Sequence, residues 1–268
     1  MTSLTVGPAT TGRPSRHLRD ATTAELTKLR SVRSGYWSLL VAAVLTVGIG
    51  ALAGASVSQL ASNGDAVSLG DPTAISLSGL MLGQLIIAGL GIKAITAEYS
   101  TGLIRTSLAA VPRRRTFLLA KAAVVGSVTL TSGVAISLVS FLIGQAAIGS
   151  KLSASLGDPG VARAVVGGGL LVSVVALVGL GLGTVIRHTA GTVVALVSVV
   201  FVLPGIVSML GQSWSAVERW MLPTAGEALM SAQPVSGGPS TGRALLICLL
   251  WVAGTLGAAA YAISKRDA

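Results

Sequence analysis

The sequence is poor in charge. Only 10% of its 268 residues are Asp, Glu, Lys or Arg, whereas 52% are hydrophobic. A soluble globular domain carries roughly 25% charged residues. So few charges cannot cover the surface of a water-soluble protein of this size, and the high apolar content excludes a disordered chain as well. The composition therefore predicts a protein that lies in a membrane.

Residues suited to disulfides, metal binding or acid–base catalysis are also scarce. The single cysteine, Cys248, excludes a disulfide framework and a Cys-based zinc site. One of the two histidines lies close to the N-terminus, which argues against a His-based triad or metal cluster. No P-loop or His-Glu-x-x-His motif occurs. We therefore expect no catalytic residue, no metal site and no cofactor in this chain, which is not expected to be an enzyme.

Six long windows carry little or no charge, and each can supply the roughly 20 apolar residues that a transmembrane helix needs. The predicted spans are approximately residues 37–57, 75–95, 117–148, 164–186, 190–210 and 244–263. None shows the polar face of a helix in a soluble protein, and no alternating pattern indicates a membrane barrel. No cleavage site precedes the first apolar run, so we expect it to remain as a span. The predicted fold is an all-α membrane protein with one six-helix domain, residues 19–268.

Lys and Arg are distributed unevenly between the predicted connections. One side of the membrane receives fifteen, at positions 13, 16, 19, 28, 30, 33, 93, 105, 113, 114, 115, 121, 187, 265 and 266. The other side receives four, at positions 151, 163, 219 and 243. By the positive-inside rule, both termini and the 2–3 and 4–5 connections are predicted to be cytoplasmic. The net charge of +10 is thus assigned to the membrane surface rather than to nucleic acid.

The segments outside the spans are predicted to be a tail and short helices. Residues 1–18 are typical of a disordered cytoplasmic tail, and residues 19–33 can form a helix on the inner leaflet. Alternatively, this helix is solvated and its charges only fix topology. The long outer 5–6 connection is amphipathic, and Pro223 divides it into two short helices. The predicted membrane-interface anchors are Arg30, Arg33, Arg113, Arg114, Arg115, Trp214 and Trp220.

The middles of the spans lack Asp, Glu, Lys and Arg, which disfavours an ion-coupled carrier. Lys93 and Lys121 lie near the predicted inner ends of their spans, where each is expected to snorkel to the water interface. His188, in the short 4–5 connection, is interpreted as an interfacial residue rather than a proton relay. If the chain moves a substrate, another subunit is therefore expected to supply the energy.

The connection between spans two and three is the most informative segment. Gly102 permits a sharp reversal, residues 104–110 can form about two helical turns, and Pro112 ends them. The following three arginines would hold the returning chain at the anionic leaflet. The pattern predicts a short helix parallel to the membrane and offered to the cytoplasm. The alternative is an inner loop that only sets topology.

This segment resembles a known family. The pattern Glu98-Tyr99-x-x-Gly102-x-x-Arg105-x-x-Leu108-x-x-x-Pro112-x-x-Arg115-x5-Lys121 is similar to that of type-two (exporter) ATP-binding-cassette permeases, in particular small actinobacterial ones. Residues 25–33, 187–191, 201–204 and 222–225 resemble further parts of that family in the same order. Leu103 departs from the pattern, because many relatives have Thr there.

The resemblance implies a function. The 2–3 segment would be a coupling helix that docks on an ATPase, with Glu98, Tyr99, Gly102, Arg105, Leu108 and Pro112 as the partner-binding residues. Two cytoplasmic ATPase subunits, which bind ATP and Mg, would drive export through this chain and a second permease copy or a sister permease in the plasma membrane. The substrate path would run between the facing permeases, along spans two and five. The alternatives are a non-transporting scaffold, sensor or immunity subunit and, less favoured, an ion-coupled carrier or a channel.

Overall fold

The computed structural model describes residues 22–28, 33–62, 70–110, 114–149, 152–235 and 237–265, and within these ranges the regular structure is all helical. Six helices are long and apolar enough to cross a membrane. The predicted all-α membrane fold with six spans is therefore confirmed. The helices in chain order are α1 (22–28), α2 (Arg33–Ser62), α3 (Pro72–Leu77), α4 (Leu80–Ser100), α5 (Leu103–Ala110), α6 (Arg114–Ile148), α7 (Val161–Ile186), α8 (Thr189–Val197), α9 (Leu203–Met209), α10 (Ser215–Glu218), α11 (Leu222–Met230) and α12 (Thr241–Lys265). The predicted tail, residues 1–18, lies outside the described residues.

Helix α7 forms the centre of the bundle. In its most apolar window 78% of the residues are buried, against 22% in α2 and 22% in the fifth span, Thr189–Met209. Small residues let its neighbours approach closely, because a Cβ on Gly91 of α4 would collide with the Ala176 carbonyl of α7. Similarly, a side chain on Gly169 would collide with Val134 of α6. Helices α4 and α6 are therefore held directly against α7.

The second span begins later than the sequence predicts. Its apolar window starts near residue 75, but Pro72–Leu77 is the separate helix α3 and the span begins at Leu80. Asp71 caps α3 by accepting the Thr73 N–H at 2.9 Å. The chain then bends at Gly79, which lies against the Thr46 backbone of α2, where no Cβ would fit. The prediction from hydropathy did not separate α3 from the second span, because both segments bury apolar side chains.

The fifth span is interrupted near its middle, which the sequence analysis did not anticipate. Residues Ser198–Val202 form a π-helical turn between α8 and α9, and the Leu203 N–H bonds to the Ser198 carbonyl, five residues back. Pro204 follows immediately and has no N–H to donate. The missing donor accounts for the wider turn, which is the usual form of such interruptions.

The helices alternate in direction, so the bundle has two distinct ends. The basic end carries α1, α5, the α7–α8 turn and the C-terminus of α12. The far end carries α3, α10 and α11. At the far end the Asp71 carboxylate accepts a hydrogen bond from the Ser231 hydroxyl at 3.0 Å and another from the Ala232 N–H. Arg163 donates to the Ser231 carbonyl at 2.9 Å, so α3, α7 and the end of α11 are joined there.

Candidate functional site

Helix α5 projects from the basic end directly after the second span. Gly102, with a φ of 72°, reverses the chain in a left-handed conformation that favours glycine. One turn later Ile104, which is 4% exposed, packs into an apolar cluster formed with α4, α6 and α7. In contrast, Leu103, Arg105 and Thr106 are exposed. The helix therefore has a buried anchor and an exposed face.

Beneath α5 lies a cluster of four charged side chains, Glu25, Lys28, Glu98 and Lys121, which we call the charge cluster. Lys121 Nζ donates to Glu25 Oε2 at 2.6 Å and to Glu98 Oε1 at 2.9 Å. Lys28 Nζ donates to Glu25 Oε1 at 2.9 Å and to Glu98 Oε1 at 3.0 Å. These residues belong to α1, α4 and α6, so three of the four ion pairs connect helices at the root of α5, and the fourth, Glu25–Lys28, lies within α1.

The charge cluster is electrically balanced, with two ammonium groups and two carboxylates. Balance matters because Lys121 is only 1% exposed, and a buried charge is tolerated when it is paired. Burial lowers the pKa of the Lys28 amine, but its hydrogen bonds to Glu25 and Glu98 outweigh that effect and raise the pKa above its ordinary value. Lys28 therefore remains charged at neutral pH and completes the balance.

The turn between α7 and α8 packs against the same end of α4. Arg187 lies over the ring of Tyr99, with its guanidinium carbon 5.0 Å from the ring centroid. The Thr189 hydroxyl donates to the Thr96 hydroxyl at 2.9 Å. His188 Nδ1 accepts the Gly191 N–H at 3.2 Å and so caps α8. His188 therefore caps α8 in the structure. Its two neighbours in the chain, Arg187 and Thr189, hold the turn against α4.

The last turn of α12 is connected to this end as well. Arg114, in the first turn of α6, donates from Nη1 to the Ile263 carbonyl at 2.6 Å. Of the predicted membrane anchors, Arg33 and Arg115 are exposed at the basic end, and Trp214 and Trp220 are exposed at the far end. Arg30 and Arg113 lie outside the described residues.

The predicted partner-binding residues divide into two groups. Gly102 and Arg105 are exposed on the α5 segment. Glu98 is 6% exposed and belongs to the charge cluster, and Tyr99 is half-buried beneath Arg187. The described residues include the backbone of Leu108 but not its side chain, and Pro112 lies outside them. The exposed surface of this segment therefore includes Arg105 but not the Glu98 carboxylate.

The expectation that Lys121 snorkels to the water interface is wrong. Its ammonium group is buried between Glu25 and Glu98, whereas Lys93 is exposed. The sequence places Glu25 and Lys28 in the predicted inner-leaflet helix, residues 19–33, but does not pair them with Lys121, which follows 96 residues after Glu25. The available signal was an ionisable residue within an apolar stretch, which needs a named partner.

Within the described residues, no group of three His, Cys, Asp or Glu side chains could hold a metal ion.

Comparison with known proteins identifies the family. Residues 22–212, more than half of the chain, match the family described as ABC-2 family transporter protein. No curated protein matches the sequence. The matched range begins at α1 and includes the charge cluster, α5 and the first five spans. The chain therefore belongs to the ABC-2 transporter family and is a multi-pass membrane permease, a component of a transport system.

Proposed function

We propose that the chain is the permease subunit of an exporter driven by two separate cytoplasmic ATPase subunits, with α5 as the helix that docks on the ATPase. ATP and Mg bind to the ATPase subunits in this proposal. The basic end faces the cytoplasm across the plasma membrane, in agreement with the fifteen Lys and Arg that the sequence assigns to that side. A second permease, either a copy of this chain or a sister permease, completes the assembly.

The arrangement of α5 is the single observation that carries this proposal. Its exposed residues Leu103, Arg105 and Thr106 offer an apolar contact, a cation and a hydroxyl to a partner. Its anchor, Ile104, packs on three spans, and the charge cluster joins α1, α4 and α6 immediately below. A displacement of α5 would therefore be transmitted to several spans at once. This is the mechanical property that an ATPase-driven permease needs.

Glu98 and Tyr99 take a different role in this proposal from the one that the family pattern implied. Their side chains hold α5 in place rather than contact the ATPase, because Glu98 pairs with Lys28 and Lys121 and Tyr99 packs under Arg187. Arg105 and Leu103 are the contact residues. We include Leu108 and Pro112 in the docking segment on the basis of the family pattern alone.

The test is co-purification with a candidate cytoplasmic ATPase, such as one that a neighbouring gene is found to encode. The variant Leu103→Asp with Arg105→Glu is expected to lose at least ten-fold of the bound ATPase, because it replaces an apolar contact and reverses a charge in the interface. Arg115→Glu is the control for the Arg105→Glu charge reversal, since it makes that same change at an exposed position of the same end. Equal recovery of ATPase with the double variant and with the control would contradict the docking role of α5.

A second measurement separates transport from a scaffold or sensor role. The complex reconstituted in vesicles is expected to move its substrate only with ATP, and the substrate is expected to stimulate the ATPase. A complex that binds the ATPase but shows neither stimulation nor ATP-dependent movement with any substrate of a screened library would contradict the exporter assignment while leaving α5 as a docking helix.

A further inference from the structure

A cavity of about 290 Å³ lies at the far end, inside a single copy of the chain. It is bordered by α3, the start of α4, α7, the π-helical turn and α11, and its walls are mainly apolar. We propose that this cavity binds an organic ammonium group carried on an apolar body, with Glu227 as the carboxylate that recognises the cation. All of these walls belong to one chain, and they include parts of the second and fifth spans.

The charge of the site comes from Glu227. This residue of α11 is exposed at the rim, and no Lys or Arg among the described residues pairs with it. The other nearby acid is Glu218, which adds to the negative potential. The carboxyl at the rim therefore has no internal cation to neutralise it, and a ligand with a positive charge would supply one.

Polar groups deeper in the cavity indicate that it is not simply a packing defect. The Ser78 hydroxyl is buried and has no hydrogen-bond partner in the described part of the chain. Gln84, which is 5% exposed, also lines the cavity and donates its amide to the Met81 carbonyl at 3.0 Å. An unsatisfied buried hydroxyl destabilises the folded protein, so a ligand that bonds to it removes that penalty.

The π-helical turn provides the apolar and aromatic wall. Val200 and Phe201 of this turn line the same cavity as Glu227. Such single-turn interruptions occur frequently at functional sites, because they re-aim side chains that a regular helix would place elsewhere. An aromatic ring together with a carboxylate is the combination that recognises alkylammonium groups. The ligand class follows from these two features.

The direct test uses the full chain alone, in an uncharged maltoside detergent, with benzyltrimethylammonium as the probe. This cation is expected to bind with a dissociation constant of about 1–10 mM, given its eleven non-hydrogen atoms. Phenylmethanesulfonate has a similar size and the opposite charge, and it is expected not to bind. Equal binding of the two ions, or no binding of the cation, would overturn the proposal.

Two variants locate the probe. Glu227→Gln is expected to weaken binding about five- to ten-fold, whereas the matched control Glu218→Gln, which removes a partly exposed acid that does not line the cavity, changes it less than two-fold. Ala74→Leu, which fills the cavity from α3 without changing charge, is expected to abolish binding. Unchanged binding in Glu227→Gln or in Ala74→Leu would place the probe elsewhere and contradict the site.

A competition experiment identifies the source of the natural ammonium group. Added phosphatidylethanolamine would displace the probe if a lipid headgroup occupies the cavity, and phosphatidylglycerol, which lacks the ammonium, would not. A free organic cation as the natural ligand would leave the probe in place with both lipids. That the ligand is the exported substrate rests on the proposed function. Because the binding assay contains no ATPase, loss of docking at α5 would leave its result unchanged. Likewise, failure of the probe to bind would leave the co-purification result unchanged.

Discussion

Lys121 carries a positive charge in a position where only 1% of its surface is exposed. Water cannot stabilise this charge, so the carboxylates of Glu25 and Glu98 do so. The contribution of each residue in the charge cluster to the stability of the protein therefore depends on whether its partners are present. A single substitution is expected to destabilise the protein, and a second substitution that removes the unpaired partner is expected to restore most of the lost stability.

We predict that Lys121→Met destabilises the protein by about 3–5 kcal/mol, because Glu25 loses its buried partner and two carboxylates share Lys28 alone. The double variant Lys121→Met with Glu25→Gln is expected to recover most of this loss, since Glu98 then keeps its pair with Lys28. Thermal unfolding of purified protein, followed by tryptophan fluorescence, measures both effects.

Lys93→Met is the control for this pair, because it removes a lysine that is exposed near the same end of the bundle. Its unfolding midpoint should match that of the unmodified chain. If the double variant is less stable than Lys121→Met alone, the ion pairs do not couple as the geometry requires.

Glu227 is expected to lower stability when it is charged. Loss of solvent around the carboxyl and then repulsion from Glu218 raise its pKa. The folded state therefore holds this proton more tightly than the unfolded state, so the penalty is absent below the ordinary glutamate pKa and complete above the raised one. Glu227→Gln should accordingly stabilise the protein at pH 8, by less than about 1 kcal/mol because solvent screens the exposed group.

Unfolding midpoints at pH 8 and near pH 4 measure this difference between Glu227→Gln and the unmodified chain. The gain should vanish at the lower pH, where both side chains are neutral. A gain that persists unchanged at low pH would mean that shape rather than charge sets the effect. A stabilising substitution that weakens cation binding is typical of a residue retained for function rather than for folding.

At the scale of elements, Pro204 determines the form of the fifth span. We predict that Pro204→Ala converts the π-helical turn into a regular α-helix, because the new N–H can bond to the Val200 carbonyl. Removing the extra residue of the turn rotates Val200 and Phe201 relative to the cavity, by about 100° for one residue. Benzyltrimethylammonium binding is therefore expected to fall at least five-fold, while the unfolding midpoint stays the same or rises.

Hydrogen exchange provides an independent measurement of Pro204→Ala. Amides of residues 198–203 should exchange more slowly in the variant, since a regular turn gives them stable hydrogen bonds to the carbonyl groups one turn earlier. Unchanged exchange together with unchanged probe binding would show that proline is not the cause of the interruption.

The sequence predicts the type and approximate bounds of the long elements well, because a span is defined by twenty consecutive apolar residues and nothing more. It fails where apolarity continues across a break. Residues 75–77 continue the apolar run of the second span but belong to α3, and the span itself begins at Leu80. Gly79, between the two helices, lies against the Thr46 backbone. The sequence likewise did not predict the π-helical turn, because a single proline leaves the hydropathy of a long apolar run almost unchanged.

The whole molecule has a basic end and a far end, and its orientation in the membrane can be measured directly. In a Cys248→Ser background, Arg243→Cys and Arg115→Cys each place one thiol at an exposed position at opposite ends of the bundle. We predict that a membrane-impermeant maleimide labels Arg243→Cys in intact cells and Arg115→Cys only after permeabilisation, because the basic end is proposed to face the cytoplasm. The reverse labelling pattern would contradict the proposed orientation.

At this scale, the sequence supports the class of protein and the sorting of charge between the ends, since both depend on sums over many residues. The candidate site depends instead on individual contacts between distant positions. Glu25 and Lys121 are separated by 96 residues, and nothing in the local pattern of either one indicates the other. The cavity near Glu227 likewise requires α3, α7 and α11 to meet, which hydropathy does not encode.

The charge cluster also has a consequence for biogenesis. During synthesis, α1, α2 and α4 leave the ribosome before Lys121 does, so at that stage Glu25 and Glu98 lack the buried ammonium group that pairs with both of them. Docking of α1 is therefore a late event, which waits for the third span to enter the bilayer. A nascent chain that stops short of Lys121 lacks the ion pairs that join α1 and α4 to α6, and their absence distinguishes an unfinished bundle from a completed one.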